Sequence, residues 1–180
     1  MDAIYITDNG TTIGISYNDL IKYHGRSYIA GVAMAYKMME LAFDKLGFSK
    51  VISRERLEFR IAVNGPGIID AIEMVSRAKT HSALTVDQNI ASDLDAPDAA
   101  DGQGGKYYFE VIHNGEKILL TLKSGLIPGE FIDISNKYHA GTITCDEKIR
   151  LKELKEHLAE SIMSTPSAEL FYVSKLSISQ

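Results

Sequence analysis

Between Ile29 and Gly47 the apolar residues recur at three- and four-residue steps. Ile29, Val32, Tyr36, Met39, Phe43 and Leu46 make one row, and Met34, Met38 and Leu41 make a second. Only Lys37, Glu40 and Asp44 form a polar stripe. A helix that is apolar on two sides has to be covered on two sides, so the pattern predicts a central helix. Ser27 is placed as its N-cap and Gly47 as its C-terminal stop.

The flanking patterns are shorter. Ala3 to Tyr17 reads as a strand, an Asp8-Asn9-Gly10 turn and an extended piece over Thr12 to Ile15, followed by a brief helix that Asn18 or Asp19 can cap and Gly25 interrupts. Leu57 to Val63 alternates as a half-buried strand does until Asn64-Gly65-Pro66-Gly67 breaks it. Ile68, Ile69, Ile72, Met74 and Val75 then give a short helix, and Ser82 to Asp87 another strand. Lys106 to Ile112 and Lys117 to Leu122 flank Asn114-Gly115, the strongest hairpin signal in the chain. Phe131-Ile132-Asp133-Ile134, after a Pro128-Gly129 turn, fits either a short strand or a helix entry. Thr144-Cys145-Asp146-Glu147 has the spacing of a capping box and opens a helix with Leu151, Leu154, Leu158 and Ile162 along one face. Ser164-Thr165-Pro166-Ser167 ends that helix, and Leu170 to Ile178 reads as an edge strand or tail.

Composition narrows the function classes. A net charge of −5 gives no basic footprint for neutralising phosphates, which argues against nucleic acid as the main partner. The single cysteine, Cys145, allows neither an intrachain disulfide nor a paired-cysteine metal knuckle, and no basic side chain nearer than Lys148 would activate it. MDAIYITDNG carries acidic residues where a signal peptide needs basic ones, and no apolar run is long enough to span a bilayer. The expectation is a soluble, cytoplasmic protein with no membrane partner.

Candidate chemistry gathers at two helix starts, each preceded by glycine: His24-Gly25-Arg26-Ser27 and Asn64-Gly65-Pro66-Gly67. Helix N-termini present unpaired N–H groups and partial positive charge, so two of them meeting would make a site for a polar or anionic ligand, reinforced by Arg26 and His24. Two ordinary tight turns are the plainer alternative. His24, His81, His113, His139 and His157 show no metal-binding spacing. The acidic stretch Ser92 to Gly105 lacks the order of a calcium loop and reads as a solvated surface loop.

Tyr23-His24-Gly25, Gly31 to Lys37, Leu46-Gly47 and Ile69-Asp70-Ala71-Ile72-Glu73 resemble blocks of the FmdE-like family of formylmethanofuran dehydrogenase proteins. That family opens with Phe or Tyr before His-Gly-His-x-Cys-Pro-Gly-Leu-Ala-x-Gly and a long helix. Its second block is a strand, a cysteine-bearing turn and Val-Asp-Ala-Ile-Gln. The resemblance covers roughly Asp19 to Leu122. It implies an α+β fold with the long helix on a mostly antiparallel sheet, a core domain over residues 1–140, and a C-terminal helix and tail over 141–180 that serve as a dimerisation arm. It further implies a homodimer with an accessory role in anaerobic one-carbon or molybdenum- and tungsten-linked metabolism. The chain departs from the family at Arg26 (second histidine), Ser27 or Tyr28 (cysteine), Gly67 (turn cysteine) and Ala78 (third cysteine). Without thiolates, soft-metal affinity and nucleophilic redox chemistry do not carry over. The expected ligand site comprises His24, Arg26, Ser27, Tyr28, Asn64, Gly65, Gly67 and Asp70, with His24 the ligand for a divalent zinc or nickel ion where a metal is held. An enzyme using His24 as acid or base on an anionic substrate, and a purely structural protein, are the alternatives.

Overall fold

The computed structural model describes residues 3–47 and 52–177. The chain opens with an antiparallel hairpin, β1 (Ile4–Asp8) and β2 (Thr11–Ile15), in register from Ile4 opposite Ile15 to Asp8 opposite Thr11. Asn9 and Gly10 both take positive φ (48° and 80°), as a two-residue hairpin turn requires. Helix α1 (Tyr17–His24) starts from a capping box: Ser16 Oγ accepts from the Asp19 amide at 3.2 Å, and Asp19 Oδ2 accepts from the Ser16 amide at 3.0 Å. Asp19 thus supports the cap from the first turn, and Ser16 takes the cap position expected of Asn18 or Asp19.

Helix α2 (Ile29–Leu46) is the two-sided helix that the apolar rows predict. It packs on the main sheet and also on α1 and on the helices at Pro66–Ser76 and Cys145–Ser164. Its cap residue is Tyr28, whose side chain makes no capping hydrogen bond, so Ser27 does not cap it. Lys37 of the expected polar stripe is buried and reaches Glu40 at 3.5 Å.

The main sheet has the order β4-β3-β5-β6-β7, from β3 (Leu57–Ile61), β4 (Leu84–Val86), β5 (Tyr108–His113), β6 (Glu116–Leu122) and β7 (Phe171–Ser177). Only β3 and β4 run parallel, and helix α3 (Pro66–Ser76) makes the crossover that such a pair needs. Phe59, Ile61, Phe109, Val111, Ile118 and Leu120 are buried in the core. The Phe131 stretch resolves as helix α4 (Gly129–His139), because Phe131 and Ile134 bury together at a three-residue step.

Helix α5 (Cys145–Ser164) opens on the expected capping box and buries Leu151, Leu154, Leu158 and Ile162, packing against α2 of the same chain. After a single turn, α6 (Ser167–Leu170), β7 joins β6 antiparallel as the sheet edge. The Phe171 ring meets Phe109 edge-on at 6.2 Å and anchors β7 to the core. Ile178, the last residue of the strand expected from sequence, lies outside the described residues. One continuous apolar cluster runs from Ile4 to Phe171, so residues before and after 140 share a core. Among the described residues no helix is long and apolar enough to cross a membrane.

Lys137 and the Thr144 amide hold the Glu147 carboxyl at about 2, against an ordinary 4.5. The folded value lies below the unfolded one, so this stabilisation is complete above the ordinary value and is lost as pH falls through the window from 4.5 to about 2. Glu147→Gln should therefore flatten the fall in melting temperature measured across that window. An unchanged slope would show that the carboxylate contributes nothing.

Candidate functional site

The two glycine-led turns meet. A Cβ built on Gly67 would collide with the Tyr28 carbonyl oxygen and lie 3.0 Å from the Val32 nitrogen, while one on Gly31 would lie 3.4 Å from the Ile68 nitrogen. The first turns of α2 and α3 therefore cross at backbone distance, and only glycine fits at position 67 without a shift. Pro66 occupies the first helical position, where a missing N–H costs nothing, and the Ile68 and Ile69 amides both donate to Gly65 O at 3.0 Å.

Beside this crossing, the last residue of α1 meets α3. His24 Nδ1 lies 2.8 Å from Asp70 Oδ2, joining residues 46 apart in sequence. The His24 side chain is only 7% exposed, while that of Asp70 is 37% exposed. Because a carboxylate accepts, Nδ1 carries the proton of this bond, and whenever the ring is neutral Nε2 is then a bare lone pair. Nε2 is buried and has no hydrogen-bond partner among the described residues. The Tyr28 ring stands 5.9 Å from the imidazole. Two helical turns earlier on the same face of α1, the Tyr17 hydroxyl is also buried without a partner among the described residues, and burial pushes its pKa up to about 12. A buried polar atom without a partner is costly, and these two lie along one face of α1.

On the other flank of the crossing is a cavity of about 60 Å³, lined by Tyr28, Asn64, Gly65 and Gly67 together with Asp101 and His139. Asp101 is buried, and its carboxylate accepts from the amides of Asn64 (3.0 Å), Gln103 (2.9 Å) and Gly105 (3.3 Å). The segment expected to be solvated thus includes a residue that pins the loop onto the Asn64 turn. Lys155 of α5 also lines the cavity. Its ammonium donates to Ser27 O at 2.9 Å, lies 4.5 Å from the Tyr28 ring centre and 5.6 Å from that of Tyr138, and has its pKa lowered by burial.

The predicted site residues are therefore distributed around Tyr28. His24 and Asp70 pair with each other, and Tyr28, Asn64, Gly65 and Gly67 share the cavity. Arg26 points away from His24 to a bidentate pair with Glu156 of α5, and Arg26 and Ser27 open instead onto a surface groove. Asp101, His139 and Lys155 also line the cavity, and Tyr138 the surface groove, where sequence reasoning does not place them. The available signal is Lys148, Lys152 and Lys155, spaced to share one face of α5.

Among the described residues no group of three or more His, Cys, Asp or Glu side chains could hold a metal ion. His24 offers one nitrogen, and its acidic neighbour is already bonded to the other ring nitrogen. Ser27, Tyr28 and Gly67 supply no thiolate where the resemblance would place one. The donor set at His24 among the described residues does not fit a resident zinc or nickel site.

A long helix on a mostly antiparallel sheet, with a histidine–carboxylate pair beside the crossing of two helix starts, defines an α+β protein with a small buried site. The chain belongs to the FmdE family, described as "FmdE, Molybdenum formylmethanofuran dehydrogenase operon", which matches residues 28–172. The match begins at Tyr28, just after His24, and continues through α5 into β7, farther than the sequence motifs reach. A search of curated proteins finds no match to the chain.

Gly67→Ala should cost about 1–3 kcal/mol, the usual range for overpacking a tight contact, as measured by urea unfolding. A variant as stable as the parent would contradict the close approach of α2 and α3.

Proposed function

We propose that this FmdE-family protein is an accessory binding protein of formylmethanofuran-dehydrogenase-linked one-carbon metabolism, holding a small polar ligand at His24. The observation that carries this reading is the bare, buried Nε2 of a ring whose other nitrogen is fixed by Asp70. Such a ring is already oriented, so a ligand N–H or O–H binds Nε2 without first paying to order the side chain. The Asn64–Asp70 turn supports the site by holding α3 and its carboxylate in place. We take the protein to be a cytoplasmic homodimer, as the resemblance implies. The edge of β7, with Tyr172 and Leu176 exposed, is a surface on which a second copy could pair.

A second reading rests on the same pair. A carboxylate-oriented imidazole with a free Nε2 is the arrangement of a general base, and it would take a proton from a bound substrate while Asp70 stabilises the resulting imidazolium. Turnover lost in His24→Ala with ligand binding retained would favour this enzyme over the binding protein.

The test uses protein purified without a histidine tag. Native mass spectrometry and zinc and nickel analysis of the parent are compared with those of His24→Ala, with circular dichroism as the control for folding. The expected result is a small species that travels with the parent and is lost from the variant. Identical bound content in both proteins contradicts a site at His24.

A further inference from the structure

Outside the His24 site, a groove of about 660 Å³ runs between the start of α2 and the outer side of α5. Four of its lining residues are cationic: Arg26, Lys148, Lys152 and Lys155. Glu156 is the acidic residue among the groove's lining, and its carboxylate is taken by Arg26. Positions 148, 152 and 155 follow the four- and three-residue steps of one helix face, so the three lysines project along a single wall. Lys148, Lys152 and Lys155 make no ion pair among the described residues. Lys155 is half-buried between the Tyr28 and Tyr138 rings, and its ammonium donates to the Ser27 carbonyl.

On a chain whose net charge is −5, three neighbouring ammonium groups without counter-charges are out of keeping with the rest of the surface. The cost of partly burying the Lys155 ammonium would be relieved by an anion seated against it in the groove that Lys148 and Lys152 also line. The groove has the size of a small-molecule site. We propose that it binds a small polyanion, a molecule bearing two or more phosphate or carboxylate groups, through Lys148, Lys152 and Lys155. Arg26 and Glu156 would form the rim. The groove shares Tyr28 and Lys155 with the small cavity beside the crossing, but it does not include His24.

The experiment is isothermal titration at low salt with inorganic pyrophosphate and, separately, citrate, with acetate as the monoanion control. The parent should bind at least one of the two polyanions saturably at one site per chain, with affinity falling as salt is raised. Pyrophosphate alone binding would identify phosphate chemistry, and citrate alone carboxylate chemistry. Affinity should fall about tenfold or more when Lys148→Gln and Lys152→Gln are combined, since each exposed ammonium lost removes a charge-assisted contact. Lys155→Met should lose binding and Lys155→Arg should restore most of it, which separates the charge from any effect on folding. His24→Ala should bind as the parent does, even if the His24 site itself proves empty. Absence of saturable binding by both polyanions, binding by acetate with equal affinity, or undiminished affinity in the double lysine variant would each overturn the proposal.

Discussion

The contact on which the rest depends is the crossing of α2 and α3, where Gly67 rests against the Tyr28 carbonyl. It sets how closely two helix starts approach, and with that the position of every residue on their first turns. Asp70 is carried to His24 because α3 begins there. The Asn64 turn is carried to the small cavity for the same reason, and Asp101 then clamps the following loop onto it. A side chain at position 67 would push α3 outward and loosen both flanks of Tyr28 together.

The chemistry that follows is modest and directional. A buried imidazole with one nitrogen occupied and the other bare behaves as an oriented acceptor. Where the family resemblance places thiolates, this chain has a hydroxyl, a phenol ring and the backbone contact of Gly67, so the surroundings of His24 suit hydrogen bonding better than soft-metal coordination. Arg26, which sequence proximity assigns to His24, is instead held on α5 by Glu156. Local spacing brings Arg26 near the motif, and a long-range ion pair takes it elsewhere.

Much of this is legible in the sequence. Two apolar rows between Ile29 and Leu46 require a helix with neighbours on both sides, Asn114-Gly115 requires a hairpin, and Thr144 with Glu147 requires a helix start; each depends on local periodicity or turn chemistry. Separate motifs point to His24 and Asp70 as site residues, and the fold brings the two to hydrogen-bonding distance. Other features are ambiguous for local reasons. Asn18 and Asp19 are expected as caps where Ser16 takes the position, and Phe131-Ile132-Asp133-Ile134 fits both a strand and a helix period. The spacing of Lys155 with Lys148 and Lys152 is local, but its contact with Ser27 is not, since it spans 128 residues. The apolar stripe on α5 needs a partner and finds one in α2 of its own chain.

The central claim is that Asp70 fixes the His24 ring with its proton on Nδ1 and leaves Nε2 bare. Nitrogen-15 NMR of histidine-labelled protein, with the ring neutral and His24 assigned by comparison with His24→Ala, reads this directly from the two ring-nitrogen shifts. The expected spectrum shows a protonated Nδ1 and an unprotonated Nε2, with the preference lost in Asp70→Ala. A proton on Nε2 in the parent, or a tautomer indifferent to Asp70, would contradict it.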